Sequence, residues 1–174
     1  RAVRNDCKVI MSAGSNSTKE AVKYAKMAEK EGADAILSVV PYYNKPSQEG
    51  MKAHFSAIAE AVKIPVIIYN IPSRTGVNML PETVAYLAKK YENIVGIKQS
   101  YPDMDMISEM KDLCPDGFEI YCGDDSLLLP MLSLGATGVV SVASHIYGEE
   151  IKSMIEDFKE GNIKSALNMH MILY

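Results

Sequence analysis

The chain has 174 residues, 48% of them hydrophobic and 23% charged, with a formal net charge of −4. That size suits one globular domain with a sizeable core. The charge balance excludes a basic nucleic-acid footprint, no apolar run reaches the ~20 residues of a membrane span, and the opening residues read as neither signal nor transit segment. Three cysteines (Cys7, Cys114, Cys122) and three histidines (His54, His145, His170) are scattered, with no CxxC pair. This spacing speaks against a disulfide framework and a metal site, and for a reducing cytoplasm. Nucleic-acid and membrane partners are therefore not expected.

In chain order, residues 8–13 form the first strand-like run. A helix follows, opened by the capping-box pattern Ser17-Thr18-Lys19-Glu20 and stopped at Gly32, with Ala21, Tyr24, Ala25 and Ala28 on one face. The second strand covers 35–40, and the helix over 47–62 carries Met51, Phe55, Ile58 and Val62 on one stripe. The third strand, 65–70, leads through a turn to a helix begun by Pro81, with Val84, Leu87 and Ala88 inward. Strands at 94–98, 119–122 and 138–142 alternate with helices at 104–113, 126–134 and 149–160. A last helix starts near Asn162 and is still running at Tyr174.

Nearly all-apolar strands alternating with amphipathic helices indicate an α/β protein with a parallel sheet covered on both faces. No strand is followed by GxGxxG, which argues against a dinucleotide-binding doubly wound sheet. The polar residues stand just after strands, where a (β/α)₈ TIM barrel builds its active site. A closed barrel of this class needs eight strands, and six are legible here. We therefore expect strands 3–8 of such a barrel. Residues 1–161 then form a partial barrel, and 162–174 begin a C-terminal helical region.

Lys98 is the first candidate for chemistry. It ends the apolar run Asn93-Ile94-Val95-Gly96-Ile97, and a lysine is among the residues least often buried. Desolvation disfavours an ammonium, and a neutral amine is the nucleophile of a Schiff-base enzyme. The competing reading is a strand-end lysine whose head reaches water. Tyr69 ends the preceding strand at the same level, a phenol suited to moving protons. Arg74, in the turn that follows, offers a planar fork for a carboxylate. Tyr42 and Tyr43 are adjacent phenols at another strand exit. In Gly123-Asp124-Asp125-Ser126, Asp125 is expected to cap the next helix and Asp124 to orient a neighbour.

Five segments carry a family resemblance: PYYNKPSQEG at 41–50, YNIPSRTG at 69–76, GIK at 96–98, GDD at 123–125 and GVVSV at 138–142. In order and interval they resemble the dihydrodipicolinate synthase family, within the class I aldolase superfamily that includes N-acetylneuraminate lyase. GIK marks the superfamily only. YNIPSRTG with PYYNKP is more specific, because relatives with other substrates tend to lack Arg74.

The resemblance implies that Lys98 forms a Schiff base with pyruvate. The derived enamine then attacks aspartate 4-semialdehyde, in the diaminopimelate route to lysine, without a cofactor. It implies that Tyr69 shuttles protons, that Tyr43 enters a neighbouring subunit's proton relay with Tyr42 beside it, and that Arg74 holds the semialdehyde carboxylate. It places a backbone carbonyl near the Schiff base at Val140, a feedback site for lysine at Asn16, Glu20 and Tyr42, and a homotetramer as the assembly. Some positions depart from the pattern. The family's threonine-bearing relay segment has no counterpart, and Thr18 and Thr75 lie elsewhere in the sequence. Gln99 stands where glutamate is usual, and Ser100-Tyr101-Pro102-Asp103 replaces a glycine-containing turn. His145-Ile146-Tyr147 is unusual after the last strand. Two other readings stand beside the synthase: another pyruvate-dependent aldolase or lyase of the superfamily, and a fragment without turnover.

Overall fold

The computed structural model describes residues 7–173. Among the described residues six strands form one all-parallel sheet: β1 (Ile10–Ser12), β2 (Ala35–Val39), β3 (Val66–Asn70), β4 (Ile94–Gln99), β5 (Glu119–Cys122) and β6 (Gly138–Val139). They lie side by side in chain order, with no reversal. A doubly wound sheet reverses its order at a switch point. This sheet instead curls in one direction as a half-barrel, the architecture expected from the sequence.

Helices link the strands on the outside: α1 (Thr18–Lys30), α2 (Gln48–Ala61), the one-turn α3 (Pro72–Thr75), α4 (Pro81–Lys90), α5 (Met104–Leu113), α6 (Leu128–Ser133), α7 (Ser144–Lys159) and α8 (Ile163–Leu173). The terminal Tyr174, which the sequence reading included in the last helix, lies outside the described residues. The apolar stripes do what their spacing predicts. Met51, Phe55 and Ile58 of α2 and Val84 and Leu87 of α4 are fully buried. Tyr24 is the exception on α1; it is 41% exposed while Ala21, Ala25 and Ala28 are buried. No described helix is long and apolar enough to cross a membrane.

The two faces of the sheet differ. Ile36, Ile68, Ile97, Ile120 and Cys122 point outward into the helix layer and are buried. Leu37, Val39, Tyr69, Lys98 and Tyr121 on the concave face are only half-buried. The expectation of strands covered on both faces therefore holds for the convex side alone. Six strands curl without closing, so side chains from an opposite wall do not fill the interior.

Two boundaries also differ from the sequence reading. The strand expected over 138–142 is ordered as a ladder only at Gly138–Val139, and α7 starts at Ser144 rather than 149. The cause is Asp125. Instead of capping its own helix, its Oδ2 accepts the backbone N–H groups of Val142 (3.1 Å) and Ala143 (2.9 Å), pulling that segment out of the sheet. The early start of α7 is accompanied by a kink at Tyr147 (φ −113°, ψ 36°).

Candidate active site

The site begins with a register. Val66 pairs with Ile94, but Ile67 pairs with Gly96, so Val95 is an extra residue in β4. A one-residue slip moves every following side chain to the other face. Without the bulge, Lys98 would align with Asn70 and turn toward the helices. With it, Lys98 aligns with Tyr69 on one side and Tyr121 on the other. The result is a rung of Tyr69, Lys98 and Tyr121 across three strands on the concave face.

Lys98 Nζ lies 4.3 Å from the centroid of the Tyr69 ring, within the range of a cation–π contact. Its stem passes Gly123, where an added Cβ would come within 2.9 Å of Lys98 Cε. Below the rung, Gly96 leaves space for Glu119; a Cβ there would meet the Glu119 carbonyl at 2.6 Å. The Tyr121 hydroxyl donates to the Glu119 carboxylate. Burial first, and then that carboxylate, push the Tyr121 phenol well above its ordinary range.

Tyr69 and Lys98 share a cleft of about 440 Å³ with Tyr42, Arg74 and Thr75 at the C-terminal ends of the strands. A second cleft of similar size lies at the opposite end, lined by Lys89, Glu92 and Asp116. In barrels that end serves stability, whereas the C-terminal end carries chemistry. Arg74 sits on α3, a single helical turn. Pro72 opens the turn and Gly76 closes it at φ 75°, a left-handed conformation natural to glycine. Its guanidinium is exposed and makes no ion pair among the described residues.

A buried amide network holds this turn from behind. Asn70 Nδ2 donates to Asn78 Oδ1 (2.8 Å) and Gln99 Oε1 (3.0 Å), and Asn70 Oδ1 accepts from Met79 N (3.1 Å). Gln48 extends it, donating to Asn78 O and accepting from Leu80 N and the Thr83 hydroxyl. Asn70 and Gln99 are both 0% exposed. The convex face of the strands that display Tyr69 and Lys98 is thereby locked to the segment that displays Arg74.

Other expected site residues are placed differently. Tyr42 lines the cleft, but Tyr43 does not; it is 88% exposed, with a backbone φ of 69°. Asn16 donates to Asn44 Oδ1 (3.0 Å) while Asn44 Nδ2 donates to Asn16 O (2.9 Å), tying two strand exits together. Glu20 accepts from the Ser15 hydroxyl at 2.9 Å, so only the Ser17 half of the capping box forms. Val140 is one residue past β6, its N–H donating to Cys122 O, and it does not line this cleft.

Thr75, which the sequence reading placed elsewhere, does line the cleft. Its Oγ1 is engaged by the carbonyls of Ile71 (3.0 Å) and Val77 (2.9 Å), so it offers no free relay hydroxyl. Thr18 is bound to His54. Burial raises the thiols of Cys114 and Cys122 to about 11, which leaves both unsuited to nucleophilic attack at neutral pH. Among the described residues no cluster of His, Cys, Asp or Glu side chains is arranged to hold a metal ion. Sequence reasoning does not single out Gly123, Tyr121 and Glu119 as neighbours of Lys98, because the β4–β5 register that brings them there leaves no local signal; Ser100 shares the face of Lys98 by strand alternation.

The fold and the cleft define an α/β half-barrel with one lysine at the C-terminal end of a central strand and an unpaired arginine at the mouth. The chain matches the dihydrodipicolinate synthetase family over residues 1–174, and it belongs to that family. It is 51% identical over 166 residues to the 4-hydroxy-tetrahydrodipicolinate synthase of Desulforamulus reducens, covering 95% of this chain and 56% of that protein. The dihydrodipicolinate synthase of Aquifex aeolicus superposes with a TM-score of 0.96 at 47% identity, over 98% of this chain and 58% of that one. The enzyme from Cyanidioschyzon merolae, solved with lysine bound, gives 0.93 at 49% identity, over 95% and 56% of the two chains. The chain thus spans little more than half the length of these relatives.

Proposed function

We propose that the intact protein carrying this chain is a 4-hydroxy-tetrahydrodipicolinate synthase, condensing pyruvate with aspartate 4-semialdehyde toward lysine. The observation that carries this is one cleft holding Lys98 Nζ 4.3 Å from the Tyr69 ring and, at its mouth, an unpaired Arg74. The Lys98 amine attacks the keto carbon of pyruvate and water leaves. A methyl proton is then lost to give an enamine, which adds to the aldehyde. Attack by the substrate's own amine closes the ring and frees Lys98. Covalent catalysis of this kind splits one hard step into easier ones.

In this reading Tyr69 moves protons at Lys98, and Arg74 binds the semialdehyde carboxylate through its planar fork. Tyr43, exposed and outside the lining of its own cleft, completes the relay of a neighbouring subunit. The Val140 carbonyl serves the adduct once the barrel is complete. Asn16, Glu20 and Tyr42 form part of a feedback site for lysine; their place on two tied strand exits and the lysine-bound relative support this. The protein works as a cytoplasmic homotetramer without a cofactor.

Incubation with pyruvate and borohydride tests the core of the reading. We expect the mass of one reduced pyruvate on the peptide containing Lys98, and none in Lys98→Ala. An unmodified Lys98 in active protein would sink it. Arg74→Ala should raise the KM for the semialdehyde about a hundredfold while leaving pyruvate trapping intact. Comparing kcat/KM across aldehydes separates this activity from other pyruvate-dependent aldolases.

A further inference from the structure

The exit of β4 holds a hydroxyl with nothing to bond. Ser100 follows β4 directly, and its N–H continues the ladder to Asn70 O at 2.9 Å. Two residues past Lys98, it lies on the same concave face. Ser100 is 4% exposed, and its Oγ is buried without a hydrogen-bond partner. Gly123 brings the two side chains to one spot: a Cβ built there would lie 1.9 Å from Ser100 Oγ and 2.9 Å from Lys98 Cε. A buried hydroxyl without a partner is a standing penalty, and native proteins keep few of them.

We infer that Ser100 is a positioning residue for Lys98, its hydroxyl oxygen accepting the N–H of the iminium that Lys98 forms with a 2-keto acid. This rests on the Schiff-base reading above. In that step the amine adds to the keto carbon and the C–N bond forms. The former carbonyl oxygen takes one proton from the nitrogen and one from a proton donor, the C–O bond breaks, and water leaves. The iminium keeps a single N–H and a positive charge.

Over the Tyr69 ring, a cation finds a diffuse attraction but no directed acceptor. Ser100 Oγ and Lys98 Cε both border the space left open at Gly123, and a hydrogen bond from a charged donor is roughly twice as strong as a neutral one. The other groups facing Lys98 are otherwise disposed. Tyr42 from the β2 exit and Arg74 from α3 line the open side of the cleft. Tyr121 of β5 turns its hydroxyl to Glu119, to which it donates. Past β5, Asp125 binds the Val142 and Ala143 N–H groups, and Asp124 stands beside it. Among these groups, Ser100 Oγ is the buried neutral oxygen that makes no hydrogen bond.

The test is Ser100→Ala in the intact protein. At saturating pyruvate, adduct formation at Lys98, trapped with borohydride, should slow by about tenfold or more while the pyruvate KM stays within about twofold. Trapping should also fail at lower pH than in the wild type, because an iminium without its acceptor loses its proton more easily. The melting temperature should hold or rise, since an unsatisfied group has been removed. Ser100→Thr should restore the rate. Wild-type rate and pH dependence in Ser100→Ala, or a rate lost only in step with folded protein, would overturn the inference alone. No adduct at Lys98 in the wild type would bring down the Schiff-base reading and this inference with it.

Discussion

The exits of β3 and β4 and the exit of β2 are built in opposite ways. Behind Tyr69 and Lys98 stands a buried amide network, and a strand bulge sets their register. Tyr43 at the β2 exit has no hydrogen bond of its own, is 88% exposed and occupies a left-handed backbone conformation. Tyr69 and Lys98 are fixed from several sides, whereas Tyr43 is merely presented, at the expense of backbone strain. If that contrast is right, substitutions near Lys98 should damage both geometry and rate, whereas substitutions at Tyr43 should separate rate from stability.

The largest effect is expected at Gly123. Its hypothetical Cβ lies 1.9 Å from Ser100 Oγ and 2.9 Å from Lys98 Cε, so Gly123→Ala must push the lysine off its seat. A misplacement of about 1 Å in a reacting group is worth roughly a hundredfold in rate. We expect kcat to fall by at least that factor while circular dichroism stays unchanged. Near-normal turnover would show that the Lys98 position is not fixed by β5.

Asn70→Ala attacks the support rather than the site. It strips partners from Met79 N, Asn78 Oδ1 and the Gln99 amide in a fully buried location. Each buried polar group left unpaired costs about 1–3 kcal/mol, so a loss of roughly 4 kcal/mol is expected in urea unfolding. Asn70→Asp is a sharper probe. It keeps an acceptor for Met79 N but removes the donor to Asn78 and Gln99, and should destabilise most at neutral pH.

These two positions also show what was legible beforehand. Lys98, Tyr69 and Arg74 stood out because a lysine, a phenol and an arginine end or follow apolar runs. The half-barrel was legible because the alternation of runs repeats without a glycine-rich fingerprint. Gly123 was not, because its approach to Lys98 depends on how β5 pairs with β4; Ser100 shares the Lys98 face by strand alternation, but that its hydroxyl is buried without a partner has no local signal. Asp125 was read as a cap from local chemistry, and long-range backbone groups claimed it instead. Local signals located the reactive types; register and loop closure decided who touches whom.

A smaller effect tests the β2 side of the molecule through pH. His54 joins α2 to α1 through a 2.8 Å contact between its Nδ1 and the Thr18 hydroxyl, and its Nε2 is buried without a partner. Desolvation lowers its pKa from 6.5 to about 4. The unfolded chain therefore takes up the proton first as pH falls. Stability at this residue is intact above pH 6.5, declines between 6.5 and about 4, and levels off below that. Integrated over that window the loss approaches about 3 kcal/mol. His54→Leu should flatten this part of the stability profile, and an unchanged profile would mean that the ring titrates normally.

The smallest change in stability, and the cleanest separation, belongs to Tyr43. A φ of 69° is unfavourable for an aromatic residue and free for glycine. Tyr43→Gly should therefore stabilise the fold by about 1 kcal/mol, seen as a rise in urea midpoint, while abolishing whatever the phenol does. Tyr43→Phe should leave the midpoint where it was, because an exposed hydroxyl without a partner contributes nothing to folding. If both variants lose turnover by a similar large factor in the intact protein, the phenol acts through its proton. Mixing Tyr43→Phe with Lys98→Ala protein then decides whose cleft it serves. A cross-subunit role predicts that mixed assemblies recover activity in neither fully mutant pairing, but in the one interface where an intact Tyr43 meets an intact Lys98.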